Sequence, residues 1–373
     1  MKKNLFLLGL AVAAMTSCTN DEVVEVNQST QKVIGFETFV NKTTRGIIGA
    51  VDGTNLKNFW VLAQYGEDAD NLTPLYDTPE KVTWDDDEDE WGSASTKYWS
   101  NNAYYFIAYA DENTSDEAPD YVEITDGGAL QITDYILDYD LKDDANDVDP
   151  LIPTQSSQKD IVADVLMTQG VMNREASVDF TLEHLLSKIK FTVINNGSFP
   201  MSITDLKVTP IHRKGSITIN HATNLKSAPT WTLPEEDDDQ QVIDIYPIEA
   251  KNEIAVGDQV NSADFLVLPQ NLTGVKVEIK AQFYSPMGDV IDVKDFTDEK
   301  ALTLSVAQYA NWLPGNFYNY TISLPAAGKQ IKFNLTGVTG WNPAAGETTN
   351  NDGTKTPNPI ELNPNPNPTN DNE

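Results

Sequence analysis

Basic side chains are scarce in this chain of 373 residues. Lys and Arg total 25 against 57 Asp and Glu, which gives a formal net charge of −32 at pH 7. Nucleic-acid binding depends on basic side chains that neutralise phosphates, so this balance argues against a nucleic-acid partner. The same excess of negative charge argues against electrostatic attachment to anionic lipid.

Histidine is also rare, and this limits the chemistry available. His184, His212 and His221 are the only three, and none has metal-ligand spacing to a second histidine or a cysteine. The sequence contains no G-x-S-x-G elbow, P-loop or HExxH pattern. It therefore predicts no cofactor and no catalytic activity, although counting carboxylates alone leaves a two-carboxylate glycosidase open. His184 in "LEHLLSKI" is expected to be buried and hydrogen-bonded.

The chain has a single cysteine, Cys18, so no internal disulfide stabilises it. Before it, an uncharged and mostly apolar run from Leu5 to Met15 follows two lysines. This run is shorter than the roughly 20 residues that span a bilayer and fits a secretory signal. The junction "TSC" resembles a bacterial lipobox, which predicts a signal peptide over residues 1–17 and lipid on Cys18. The alternative is a plain signal peptide followed by a free thiol.

The chain shows no long helical period. Short segments rich in aromatic and β-branched residues recur instead, separated by Gly, Asn, Asp and Pro. The first, Val33–Val40, alternates with the period of two that is typical of a strand. Two runs of such segments predict an all-β protein with sandwiches over residues 31–172 and 173–343. Residues 18–30 are predicted to be a tether, and the Pro- and Asn-rich residues 344–373 a disordered tail.

Acidic runs raise the question of calcium, because hard cations take several oxygen ligands. The best candidate is the stretch "DYDLKDDANDVDP", with Asp138, Asp140 and Asp144 as weak candidate ligands. No acidic run matches the EF-hand spacing. The alternative interpretation is a set of solvated loops that keep the protein soluble.

Aromatic residues raise the question of a sugar ligand. Trp84, Trp91 and Trp99 lie in one aromatic-rich stretch, and exposed aromatic planes bind glycans. The alternative is that these rings fill a sandwich core. The neighbouring "YYFIAY", Tyr104–Tyr109, favours the core because it has the composition of a buried strand.

Several stretches together resemble the fimbrillin-like surface lipoproteins of Bacteroidetes, which include subunits of protease-matured pili. The resemblance implies two transthyretin-like Greek-key β-sandwiches, an outer-membrane lipoprotein at the cell surface, and a structural subunit or accessory adhesin of a fimbrium. Besides the lipobox, the matching stretches are "IGFETFVNKTTRG", "NFWVLAQY", "YWSNNAYYFIAYA", "VDFTLEHLLSKIKFTV", "FLVLPQ", "LPGNFYNYTISL" and "VTGWNP".

The resemblance also implies maturation by a protease that cuts after an arginine just beyond the first strand. The matching bond here is Arg45–Gly46. Removal of Cys18–Arg45 would discard the first strand and leave backbone groups to which another pilin subunit adds a strand. Head-to-tail repetition would then give an open filament. The donor segment stays open between "IKFNLTGV" and "PIELN". The second candidate function is a surface glycan-binding lipoprotein that does not polymerise and takes a host or glycan ligand.

Overall fold

The computed structural model describes most of the chain between residues 32 and 362. The described residues are 32–39, 56–67, 71–88, 90–100, 102–111, 121–125, 128–137, 140–141, 151–152, 161–168, 177–221, 223, 231–234, 240–245, 253–262, 264–305, 309–325, 330–340 and 360–362.

These residues form 25 strands. The strands before residue 185 are β1 (Phe36–Phe39), β2 (Asn58–Gly66), β3 (Thr73–Pro74), β4 (Glu80–Asp85), β5 (Glu90–Ser93), β6 (Ala103–Asp111), β7 (Val122–Ile124), β8 (Leu130–Ile136), β9 (Asp140–Leu141), β10 (Leu151–Ile152), β11 (Ile161–Thr168), β12 (Val178–Thr181) and β13 (Glu183–His184). The later strands are β14 (Ser187–Asn196), β15 (Met201–His212), β16 (Lys214–Ile219), β17 (Gln240–Asp244), β18 (Gln259–Asn261), β19 (Phe265–Val267), β20 (Lys276–Tyr284), β21 (Val290–Phe296), β22 (Leu302–Thr303), β23 (Asn316–Pro325), β24 (Lys332–Gly340) and β25 (Ile360–Leu362).

The predicted all-β sandwich fold is confirmed. Among the described residues the helical content is one 3₁₀ turn, Asp298–Lys300. No helix in that part of the chain is long and apolar enough to cross a membrane.

A central sheet with the order β13-β11-β6-β2-β4-β5, and β3 beside β2, organises the first half of the chain. Both of its faces are buried. In β2, Phe59 and Val61 pack into one core, whereas Trp60 and Leu62 pack into another. Burial on both faces explains why "FWVLA" is a continuous apolar run rather than an alternating one.

The face of the central sheet that carries Phe59 is covered by a two-stranded sheet of β1 and β12. The opposite face packs toward a three-stranded sheet, β16-β8-β7, and into the larger core. Strand β8 hydrogen-bonds to β16, so residues 130–136 and 214–219 share a sheet across the predicted boundary after residue 172. That boundary remains a prediction.

Two further sheets, built mainly from strands of the second half of the chain, contribute to the larger core. One has the order β18-β14-β23-β24-β25 with β19 beside β14, and the other runs β21-β20-β15-β17-β10-β9 with β22 beside β20. Buried and half-buried residues alternate along β20, from Lys276 to Tyr284. This alternation places one face of the sheet in the core and the other toward solvent.

Candidate functional site: the N-terminal strand and its groove

The N-terminal segment 32–39 is inserted between two stretches of backbone that lie far from it in sequence. On one side β1 runs parallel to β12, with Phe36 opposite Val178. The Val178 N–H donates to the Gly35 carbonyl at 2.8 Å. Parallel pairing requires a long crossover between the strands, and here that crossover contains most of the first half of the chain.

The other side of segment 32–39 pairs antiparallel with the stretch 97–99. The Ile34 N–H donates to the Lys97 carbonyl at 2.8 Å, and the Trp99 N–H donates to the Lys32 carbonyl at 3.0 Å. Val33 and Tyr98 form the bridge between these bonds. The segment therefore satisfies backbone groups on both of its neighbours, and its removal would leave both without these partners.

Side chains of the segment alternate between core and solvent, as the period-2 pattern predicts. Ile34 and Phe36 are each 3% exposed, whereas Val33 is 53% exposed. The Phe36 ring stacks on Phe180 and meets the edge of Phe106, with centroid distances of 6.1 Å in both pairs. Full burial of two such side chains contributes about 3–6 kcal/mol of hydrophobic stabilisation.

Segment 32–39 lies in a groove between β12 and residues 97–99, and the floor of this groove is aromatic. Phe180 of β12 contacts Phe59 and Phe106 of the central sheet, with centroid distances of 5.9 and 6.3 Å. Trp99 and Tyr104 extend the cluster, 4.9 Å apart. Leu182 and Val178 complete the apolar lining. Without the N-terminal segment this floor would be an exposed apolar patch, which soluble monomers rarely present.

A buried carboxylate stabilises the chain next to residues 97–99, which form one wall of the groove. Glu80 is 7% exposed. One of its oxygens accepts hydrogen bonds from the Ser93 hydroxyl and the Ser95 N–H, and the other accepts from the Ser95 hydroxyl, all at 2.7 Å. These charge-assisted bonds fix the chain just before residues 97–99, which pair with the N-terminal segment.

Tyr76 lies beside this carboxylate in the same core. Burial, followed by the negative charge of Glu80, raises the pKa of the Tyr76 hydroxyl above its ordinary value. The Lys97 ammonium lies 5.4 Å from the centroid of the Tyr76 ring, within the range of a cation–π contact. The wall is thus built from one buried anion, neutral hydroxyls and a cation at its rim.

The predicted processing residues lie outside this part of the chain. Cys18, Arg45 and Gly46 are not among the described residues, and neither are the predicted signal peptide and tether. The first strand itself was predicted from Val33 to Val40 and is observed as a bridge at Val33 followed by β1.

The three tryptophans proposed for glycan contact occupy different environments. Trp84 and Trp91 are half-buried cross-strand partners on β4 and β5, with centroids 5.3 Å apart. Trp91 also contacts the core ring of Phe59 at 5.0 Å. Trp99 is buried in the groove floor. Trp84 and Trp91 therefore form a pair at the surface, and Trp99 belongs to the core, as "YYFIAY" also does.

The acidic turn between Trp84 and Trp91 stabilises itself locally. The Asp85 carboxylate accepts hydrogen bonds from the N–H groups of Asp87 and Glu88, at 2.8 and 3.2 Å. A hydrogen bond with Glu90, followed by the negative charges of Glu90 and Asp85, raises the pKa of the fully exposed Glu88 carboxyl. This turn has the solvated, loop-like character that the sequence favours for the acidic runs.

The calcium candidates lie at the edge of the described chain. Asp140 belongs to β9, which pairs with β10, while Asp138 and Asp144 fall outside the described residues. Within the described ranges, no group of three or more His, Cys, Asp or Glu side chains is arranged to hold a metal ion. His184, expected to be interior, is 3% exposed.

Stacked β-sheets, with an N-terminal strand that completes one of the cores, place this chain in the class of all-β sandwich proteins. The sequence pattern described as fimbrillin-like matches residues 50–341 of this chain. The chain belongs to the fimbrillin-like family.

Individual relatives agree with this assignment. Fimbrium subunit Fim1C of Phocaeicola vulgatus is 23% identical over 249 residues, which cover 62% of this chain and 62% of that protein. The crystal structure of a fimbrial protein from Bacteroides vulgatus superposes with a TM-score of 0.58 at 15% identity, covering 83% of this chain and 99% of that one. The likeness to this crystal structure concerns the fold alone. The match to Fim1C spans somewhat less than two thirds of the length of Fim1C.

Proposed function

We propose that this chain is a structural subunit or accessory adhesin of a surface pilus. It is exported as an outer-membrane lipoprotein through Cys18 and matured by cleavage after Arg45, and it has no catalytic role. The observation that carries this proposal is the insertion of segment 32–39 between two backbone edges over an apolar floor. Arg45 follows the end of β1 by six residues in sequence, so the cut would leave the strand held by noncovalent contacts alone. Family membership and the fimbrial relatives support the same role.

Assembly follows from the groove that cleavage opens. Departure of the segment leaves the Val178 N–H, the Lys97 carbonyl and the Trp99 N–H without the partners they have in the intact chain. A strand from a second subunit that binds parallel to β12 would restore these bonds and cover Phe180. The restored subunit would in turn offer its own donor strand, which gives head-to-tail growth.

The two donor candidates differ in their availability. The stretch "IKFNLTGV" is largely β24, which pairs with β23 on one side and β25 on the other. Strand β25, from "PIELN", lies at the end of its sheet and pairs with β24 through three residue pairs. Release of β25 disrupts less of the fold, so we assign the donor role to the segment around Ile360–Leu362.

N-terminal analysis of the protein from intact cells tests the proposal. Mature molecules are expected to begin at Gly46 and to run as a ladder in unboiled denaturing gels that collapses on boiling. Arg45→Ala is expected to retain lipidated Cys18 and to lose the ladder. Arg213→Ala, which changes another arginine, serves as the matched control. A lipidated N-terminus on every molecule of the wild-type protein would refute the proposal.

A glycan-binding lipoprotein that does not polymerise is the second candidate function. It is favoured by one observation, the half-buried cross-strand pair of Trp84 and Trp91. In this case native gels that contain polysaccharide would retard the protein, and Trp84→Ala would abolish the retardation. The unmodified protein would show a single band, boiled or unboiled, which separates this function from the pilus subunit.

A further inference from the structure

The groove sets the pattern of any strand that replaces segment 32–39. Positions 34 and 36 need apolar side chains, because Ile34 and Phe36 are each 3% exposed. Position 34 also needs an N–H, since the Ile34 N–H donates to the Lys97 carbonyl at 2.8 Å. A replacement strand must therefore have two apolar residues in alternate positions, and the first of them cannot be proline.

Backbone direction along the segment determines where a proline fits, because proline has no N–H. Val33 lies between the two hydrogen bonds to residues 97–99, so its N–H points away from that stretch, and it precedes the part that pairs with β12. The Gly35 carbonyl faces β12, where it accepts from Val178, and backbone groups alternate in direction along a strand. The N–H of Thr38, three residues further on, therefore points away from β12. Proline at position 33 or 38 costs none of these hydrogen bonds.

The C-terminal stretch "PNPIELNPN" has the required apolar pair at one place. Between residues 346 and 373 the only large aliphatic or aromatic residues are Ile360 and Leu362, which are two residues apart. When Ile360 takes position 34, Leu362 takes position 36. Both buried positions are then filled by aliphatic side chains, and position 34 keeps its N–H.

The same alignment places the neighbouring residues where the groove accepts them. Pro359 falls at position 33 and Pro364 at position 38. Glu361 falls at position 35, where a Cβ added to Gly35 would lie 3.8 Å from the Ser177 Cβ, an ordinary van der Waals distance. The alignment therefore causes neither a lost hydrogen bond nor a steric clash at these three positions.

Other alignments of this stretch with the groove fail. Pro359 at position 34 removes the N–H that the Lys97 carbonyl accepts. A shift of one residue in either direction also buries the Glu361 carboxylate among apolar side chains. A shift of two residues buries the Asn358 amide at position 34 in one direction and leaves Ile360 outside the core, at position 32, in the other.

From this agreement we propose that residues 359–364 of a second copy occupy the groove in a single register, with Ile360 at position 34 and Leu362 at position 36. The inference rests on the proposed assembly by strand addition, to which it adds the register and the role of the prolines. Residues 341–358 link β24 to this segment and reach about 60 Å when fully extended, which allows the segment to enter a neighbouring copy.

The register also identifies a contact at the rim of the groove. Tyr98 lies opposite Val33 and is 49% exposed. In the assembled pair Pro359 of the second copy takes the place of Val33 opposite this ring. Opposite residues in a non-hydrogen-bonded antiparallel pair have Cα atoms about 4.5 Å apart, which is within the range that a disulfide can bridge.

Disulfide trapping between two copies tests this register. Cleavage after Arg45 removes Cys18, the only cysteine of the chain, so introduced cysteines are the only thiols. A chain with Tyr98→Cys and a chain with Pro359→Cys would each be cut by an arginine-specific protease and then mixed under mild oxidation. Because each chain has one cysteine, a disulfide between positions 98 and 359 joins two different copies.

Pro357→Cys and Glu361→Cys, each mixed with the Tyr98→Cys chain, are the matched controls. They lie two residues, about 7 Å, on either side of position 359 along the strand. Boiled, non-reducing gels are expected to show about tenfold more covalent dimer with Pro359→Cys than with either control, and reduction is expected to remove it. A control that gives as much dimer would overturn the register and leave strand addition standing.

Heat-labile ladders from the wild-type protein separate this inference from the proposed assembly. Ladders without a covalent dimer in any of the three mixtures would show that another segment is the donor, which overturns the inference alone. The absence of ladders from the cleaved wild-type chain would overturn the proposed assembly and the inference with it.

A second pair of variants decides the matter if Tyr98→Cys fails to fold. Leu362→Asp places a charge at buried position 36 and is expected to slow ladder growth by at least about tenfold. Glu361→Gln, at position 35, is expected to remain within about twofold of the wild-type rate. Equal ladder growth of these two variants would overturn the register, and the melting temperature of each variant serves as the check on folding.

Discussion

Replacement of Phe36 by alanine tests the central structural claim, that the N-terminal segment completes the first core. Phe36 is 3% exposed and contacts both Phe180 and Phe106. Truncation of a buried phenylalanine removes transfer free energy and leaves a cavity, at a combined cost of about 3–5 kcal/mol in unfolding free energy. Val33→Ala on the same segment is the matched control, since Val33 is 53% exposed and surface changes of this kind stay within about 0.5 kcal/mol.

Two assays measure this effect. Urea unfolding followed by tryptophan fluorescence reports the loss of stability, because Trp99 lies in the groove floor. In protein cut at Arg45, the rate at which the N-terminal fragment dissociates reports its retention directly. A loss of about 3–5 kcal/mol corresponds to about two to four orders of magnitude in the equilibrium constant for retention of the fragment. The reasoning is refuted if Phe36→Ala is no more destabilised than Val33→Ala and its fragment dissociates no faster.

Two further changes test the wall of the groove and the second core. Glu80→Gln is expected to lower the unfolding free energy by about 1–3 kcal/mol, because it weakens three hydrogen bonds to a buried carboxylate. Glu123→Gln, at an exposed position, is the control and is expected to leave the urea unfolding curve unchanged. Equal effects of the two substitutions would contradict the proposal that Glu80 anchors the groove wall. Tyr320→Phe leaves the buried Trp312 indole N–H without its acceptor at 2.9 Å and is expected to cost about 1–3 kcal/mol at pH 7. Burial raises the pKa of Tyr320, so the unfolded chain ionises from about pH 10 while the folded chain does not, and the stability due to this group falls as pH rises further. The gap between the unmodified protein and Tyr320→Phe should therefore narrow above pH 10 in urea titrations; a constant gap would show that Tyr320 ionises equally in both states.

The local pattern of the sequence was sufficient to predict that these strands exist and which of their side chains face inward. Ile34 and Phe36 follow from the period of two, because a strand with one buried face must place alternate residues in the core. The composition of "YYFIAY" in β6 predicts a buried strand, and Tyr104 to Tyr109 are buried as expected. Such local patterns depend only on neighbours along the chain.

Partners that are distant in sequence were beyond this reasoning. Nothing in "IGFETF" indicates that β1 pairs with β12, because hydrogen bonding between strands uses backbone groups that every residue shares. Glu80 was not predicted either, because it is a single acidic residue in a strand, whereas the acidic runs in the sequence indicate loops. Its position two residues before the buried Val82 was the available signal, because it places Glu80 on the inward face of β4.

The pairing of β1 with β12 also has a consequence for the order of folding. Phe36 and Val178 are separated by about 140 residues, and closing a loop of that length must precede any gain from their contact. Contacts of this kind slow folding, since chain entropy is lost before packing compensates for it. Until residue 180 has been synthesised, Phe36 has Phe106 but lacks Phe180, the second ring that it contacts in the folded protein.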